Sequence, residues 1–174
     1  MSSATRGGLP HVPQPSIQRR VAEPYVGIRG TVTMTTFPAI ADRMPELFAF
    51  LGARGMAPAG PPFFRYRVVD MEGELVVEAG VPTAGAITGE GDVFADELPA
   101  GRYVTVTHVG HPAELVARTG ELLEWAEEQG LAWDAADTRA GRRWGARLEV
   151  LHTDPRVEPD PTRWTTELAF KLAD

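Results

Sequence analysis

The chain has 174 residues, 43% hydrophobic and 24% charged, enough to bury the core of one domain or of two fused small modules. A net charge of -7 argues against direct binding to a phosphate backbone, and the lack of cysteine excludes a disulfide framework and thiolate metal sites. No apolar run reaches membrane-spanning length and no basic-then-apolar signal opens the chain, so a soluble cytoplasmic protein without membrane partner or cofactor is expected.

Residues 1–20, MSSATRGGLPHVPQPSIQRR, are rich in Pro, Gly, Ser and Arg without periodicity and read as a flexible tail ahead of a domain spanning 21–174. Pro24 to Met34 is β-rich. Pro38 to Gly55 then sets Ile40, Met44, Leu47, Phe48 and Leu51 on one helical stripe closed by Gly55, and Pro45 either kinks that helix or begins it. Two strands follow, Pro62 to Asp70 and Glu74 to Pro82, joined by a short turn.

The second half repeats this plan. Gly101 to Gly110 is a strand of alternating β-branched residues. Pro112 to Gly130 is a helix with Leu115, Thr119, Leu122 and Ala126 on one stripe, and Arg143 to Thr153 and Arg163 to Leu172 are strands. The chain thus reads as two strand–helix–strand–strand modules, about 24–82 and 93–172. The fold expected is α+β: duplicated βαββ modules forming a curved antiparallel sheet, two helices on one face and a ligand cleft on the other. In the repeat register Glu78 and Glu167 occupy matching places, which directs two carboxylates toward one groove.

GIRG (Gly27 to Gly30), AGPPFFRY (Ala59 to Tyr66), VVEAGVP (Val76 to Pro82), LPAGRYVTVTHVG (Leu98 to Gly110), LLEWAEEQGL (Leu122 to Leu131), LHTDP (Leu151 to Pro155) and PDPTRWTTEL (Pro159 to Leu168) follow one another in the order of a known family. Together they resemble the GyrI-like small-molecule-binding domain, the effector-binding half of many multidrug-sensing regulators, in a stand-alone form covering Val21 to Asp174. The resemblance implies a cleft for lipophilic, often cationic or aromatic compounds, with the glutamate of a W-x-x-E strand at its floor. Here that glutamate is Glu167 and the tryptophan Trp164. The chain departs from the family where Gly110-His111-Pro112 replaces Gly-Pro-Tyr and where Leu151 replaces a tyrosine, so two phenols are absent.

Elementary chemistry supports such a site, because a poorly hydrated carboxylate among aromatic faces suits a weakly hydrated cation. Each candidate also has a plainer reading. Glu167 is either the cleft floor or a solvated strand residue, and Glu78 either a second cleft carboxylate or an ion-pair partner of Arg65 or Arg67. Phe64, Tyr66, Tyr103, Trp144 and Trp164 are either cage rings or packing residues. Glu149 lies either at a cleft rim or in solvent, and His111 is a turn histidine at the cleft mouth. The H-x-x-H pair His108 and His111 lacks a third ligand nearby, so no metal is expected.

The function expected is a cytoplasmic multidrug-binding protein acting as sensor or sink, with lipophilic small molecules, preferentially cations, as partners. One alternative is a hydrolase of reactive cyclopropane-containing natural products with Glu167 as acid or base. A further alternative is an interaction protein directed at gyrase.

Overall fold

The computed structural model describes residues 14–174, in which the alternating segments become strands and the apolar stripes become helices. In chain order these are β1 (Ser16–Arg20), β2 (Glu23–Val32), α1 (Pro38–Ala41), α2 (Met44–Gly52), β3 (Phe63–Val69), β4 (Leu75–Pro82) and β5 (Phe94–Leu98). There follow β6 (Gly101–Val109), α3 (Leu115–Glu128), β7 (Ala135–Thr138), β8 (Gly141–Trp144), β9 (Arg147–Leu151) and β10 (Thr165–Lys171). The strands form one antiparallel sheet in the order β1-β6-β10-β9-β3-β4-β2-β5, with β8 added to β3 and β7 to β8.

The central six strands, β6-β10-β9-β3-β4-β2, repeat the two modules in mirrored order about a pseudo-twofold axis. The axis falls where Phe64 of β3 pairs with Glu149 of β9. One residue further along each strand, Arg65 pairs with Glu78 and Val150 pairs with Glu167, so the two glutamates occupy equivalent places. Pairs directly opposite in an antiparallel ladder share a face, and both glutamates lie on the face away from the helices.

Pro45 stands in the first turn of α2, where its missing N–H costs no helical bond, and a turn at Asp42 and Arg43 separates α2 from α1. Both modules end their long helix in the same way. Gly55 (φ 68°) and Gly130 (φ 70°) reverse the chain, and Met56 N–H donates to the Leu51 carbonyl at 2.9 Å as Leu131 N–H donates to that of Ala126 at 3.0 Å. The stripe Met44, Leu47 and Leu51 packs over β2 and β4, while Leu115, Thr119, Leu122 and Ala126 of α3 face the second half of the sheet. Phe48, expected on the first stripe, lies outside this core with 38% exposure. No helix among the described residues is long and apolar enough to cross a membrane.

The opposite face is concave. The two-residue link between β5 and β6 draws together strands from opposite ends of the sheet, and Leu98 and Tyr103 meet across it with Tyr25, Phe63, Leu148, Val150 and Ala169. These side chains are all buried, so the face on which the sequence places the cleft is filled by the molecule's own residues.

Two further differences from the sequence reading have physical causes. Ser16–Arg20, assigned to the flexible tail, pairs residue for residue with Thr105 to Gly101 of β6, because an unpaired edge of polar and β-branched residues offers free backbone partners. The remainder of that expected tail, residues 1–13, lies outside the described residues. The strand expected over Arg143 to Thr153 is divided at Gly145 and Ala146, since β8 follows β3 beyond its bulge to pair with Val68 and Val69. Deleting residues 1–20 removes β1 and the Arg20 partner of Glu167, and is expected to lower the melting temperature by about 4–8 °C, as for a loss of about 2 kcal/mol. Circular dichroism melting checks this, and an unchanged midpoint contradicts it.

Candidate functional site

α1 and α2 cover β2 and β4, and α3 covers β6, which leaves the central strands β3 and β9 between them. On the helix side of these strands Tyr66, Arg147, Glu149 and Leu151 are only half-buried, although Phe64, Leu168 and Phe170 beside them are buried. They floor a strip that runs across the pseudo-twofold axis. The Tyr66 hydroxyl donates to Glu149 Oε1 at 2.9 Å. Burial among protein atoms pushes the Glu149 carboxyl above the usual range, against the opposing pull of the Tyr66 hydrogen bond and the Arg147 charge.

Aromatic rings wall this strip. Phe37, just ahead of α1, stacks on Tyr66 at 6.1 Å and meets Phe64 edge-on at 4.9 Å. At the other end the Arg147 guanidinium carbon lies 5.6 Å from the centre of Tyr66, 5.1 Å from Trp144 and 4.8 Å from Phe170. Tyr66 is itself held well above its ordinary value by burial and by the adjacent Glu149. An acid with an elevated pKa, a phenol and several rings thus converge on one partly open surface.

The two glutamates of the repeat lie on the concave face in different states. Glu78 is fully buried: Arg29 donates to Oε2 through Nε at 3.1 Å and Nη2 at 2.8 Å, the Tyr25 hydroxyl donates to Oε1, and Arg67 approaches to 3.6 Å. Arg65, the other partner anticipated, instead donates to the Tyr25 hydroxyl at 2.9 Å and the Gly145 carbonyl at 2.8 Å. Glu167 retains 16% side-chain exposure and is paired with Arg20 at 2.7 Å and His152 at 3.1 Å. Both carboxylates are therefore already neutralised by the protein.

The remaining candidates are dispersed. Tyr103 is buried on the concave face beneath Arg20, donates to the Pro99 carbonyl at 2.6 Å, and has its hydroxyl pKa pushed up to about 12 by burial. Trp164 precedes β10 and donates through its indole to the Glu158 carbonyl at 2.7 Å, anchoring the loop before it. His111 is exposed and accepts from Ala113 N–H at 3.0 Å, which caps a short turn. His108 is buried 3.2 Å from Glu114. No group of three potential metal ligands forms among the described residues. A shallow cavity of about 230 Å³ lies apart from the strip, between α3 and the start of β1, lined by Gln14, Val106, Arg118 and Trp125 among others.

Two modules mirrored about a central strand pair, with a half-open strip between their helices, match a known domain along almost the whole chain: residues 13–173 match the family described as GyrI-like small molecule binding domain. The chain belongs to the GyrI-like family. No curated protein sequence matches it. Among solved structures, the EcmrR C-terminal domain is similar with a TM-score of 0.73 at 17% identity, covering 94% of this chain and 99% of that one. EcmrR in its complex with DNA gives 0.76 at 18% identity over 98% of this chain, which spans 61% of that protein's length. SAV2435 bound to tetraphenylphosphonium gives 0.61 at 10% identity, and a hydrolase from Listeria innocua gives 0.63 at 14%; they cover 92% and 99% of this chain and 94% and 98% of their own. At these identities the likeness to the solved structures shows the fold alone.

Of the residues forming the strip, Phe37 and Arg147 were not singled out from the sequence. Arg147 had a legible signal, since it alternates with Glu149 and Leu151 on one strand face. Phe37 lies in a turn and had none. The two concave-face glutamates differ in what their removal should do. Glu78→Gln leaves Arg29 and Arg67 facing a buried neutral group and is expected to destabilise by about 3–5 kcal/mol, whereas Glu167→Gln should lose about 1 kcal/mol or less. Urea unfolding of both variants measures the difference, and equal losses would contradict this assignment.

Proposed function

We propose that the protein binds lipophilic aromatic small molecules, cations among them, in the strip between its helices, acting as a cytoplasmic sensor or sink. Glu149, rather than Glu167, is the carboxylate that meets a ligand's positive charge, with Tyr66, Phe64 and Phe37 as its aromatic surroundings. The observation that carries this reading is the half-open position of Glu149 on the pseudo-twofold axis, with its carboxylate's only hydrogen bond among the described residues coming from the Tyr66 hydroxyl. Glu78 and Glu167 each have arginine partners, so a ligand cation reaching them would compete with fixed guanidinium groups. The similarity to SAV2435, solved with tetraphenylphosphonium, supports a lipophilic cation as the probe.

The physical account is direct. Rings supply apolar area and negative faces, and a carboxylate that gives up little water on binding adds charge selection. Glu149→Gln keeps the shape and removes the charge. It is expected to weaken tetraphenylphosphonium binding by about tenfold or more while leaving triphenylphosphine oxide nearly unaffected. Fluorescence titration reads both, and equal losses for the two ligands would contradict the reading.

A second reading is favoured by the elevated pKa of the Glu149 carboxyl. An acid that holds its proton nearer to neutral pH, beside a phenol, suits general-acid opening of a strained ring, as in hydrolysis of cyclopropane-containing natural products. Turnover of such a compound, abolished by Glu149→Gln, separates an enzyme from a binder.

A further inference from the structure

The box formed by Tyr66, Trp144 and Phe170 already contains a cation. The Arg147 guanidinium carbon lies 4.8 to 5.6 Å from all three ring centres, within the range at which ring quadrupoles attract a positive charge. Trp144 and Phe170 meet at 65° with centroids 5.5 Å apart, so they present two inclined faces rather than one plane. Register explains how the arginine reaches them: Arg147 pairs with Phe170 across the β9–β10 ladder, on the same face and two residues before Glu149. No hydrogen bond or ion pair joins the guanidinium to another described residue, so the rings and its neighbour Glu149 are what hold it. The buried indole N–H of Trp144 has no acceptor among the described residues either, so the one polar bond of the box is that of the Tyr66 hydroxyl to Glu149.

An aromatic box beside a half-open carboxylate is the arrangement that would hold a lipophilic cation. Here the chain supplies that cation itself. We infer that Arg147 is the specificity-determining residue of the strip: it occupies the aromatic box as a resident cation, so a cationic ligand gains those rings only by displacing it, and the wild-type site binds cations less tightly than Glu149 and the rings alone would allow. This inference rests on the strip being the binding site. Glu149 draws a cation in and Arg147 excludes one, so the strip is charge-balanced, and charge selection emerges when either member is removed.

The experiment titrates tetraphenylphosphonium and triphenylphosphine oxide into wild type, Arg147→Met, Arg147→Gln and Arg139→Met. Arg139 is exposed and outside the strip, so its variant reports the long-range effect of losing one positive charge. Removing the resident cation is expected to strengthen tetraphenylphosphonium binding by about tenfold in both Arg147 variants, with a much smaller change for the neutral ligand and for Arg139→Met. Thermal unfolding confirms that each variant is folded. Wild-type binding with cation affinity unchanged or weakened in the folded Arg147 variants overturns the inference and leaves the binding site standing. A gain equal to that of Arg139→Met overturns it as well, since general charge would then suffice. Absence of binding by every variant removes the site itself, and the inference is then judged on ligand-free wild type. There the Arg147 side-chain N–H resonances should be displaced by ring currents, and unshifted resonances overturn the occupied box.

Discussion

Three residue pairs between β3 and β9, Phe63 with Val150, Phe64 with Glu149 and Arg65 with Leu148, join the two βαββ modules. Everything that distinguishes the molecule's two faces follows from this short ladder. Alternation of side chains sends Phe63, Arg65, Leu148 and Val150 into the concave interior and Phe64 and Glu149 toward the helices. Each helix packs over the strands of its own module, so the junction is the part of the sheet that neither covers. The half-open strip is thus a consequence of duplication: two modules whose helices each cover their own strands leave the shared seam only half-covered.

The seam and the interior handle charge differently. In the interior, Glu78 is surrounded by Arg29, Arg67 and Tyr25, and the desolvation of each group is offset by its partners. Such a cluster is hard to modify, because removing one member leaves the buried Glu78 or the buried Tyr25 hydroxyl without a partner. In the seam, Glu149 has a neutral phenol as its hydrogen-bond donor, and Arg147 sits among rings rather than on a carboxylate. Neither charge is fully compensated. Incomplete compensation is what a binding surface needs, since a ligand then has something to complete.

Much of this was legible in the sequence. The repeated order of elements, both helix stripes and the equivalence of Glu78 with Glu167 came from periodicity and register, and the sheet has them where expected. What sequence alone did not reveal was which face of the sheet stays accessible. Alternation separates Glu167 from Leu168 but does not say which of the two faces curls inward, and that depends on the β5–β6 link pulling distant strands together. β1, β5 and β7 were missed for a related reason: they are short edge strands with few buried residues, so apolar alternation is faint. Arg147 illustrates the opposite failure. Its strand face was readable, but an arginine among apolar neighbours reads as a solvated residue until the rings around it are placed.

Binding in the strip depends on Glu149 being a desolvated carboxyl at an accessible site. Carbon-detected NMR of its side-chain carboxyl, followed across pH with and without tetraphenylphosphonium, tests this most directly. A folded-state pKa above the unfolded value means that charging Glu149 opposes folding. The stability gained from the protonated form is present at low pH and lost as pH rises through the folded-state midpoint. A midpoint above the ordinary glutamate range is expected in the free protein, with a shift to lower pH when the bound cation favours the carboxylate. An ordinary midpoint that the ligand leaves unmoved would contradict it.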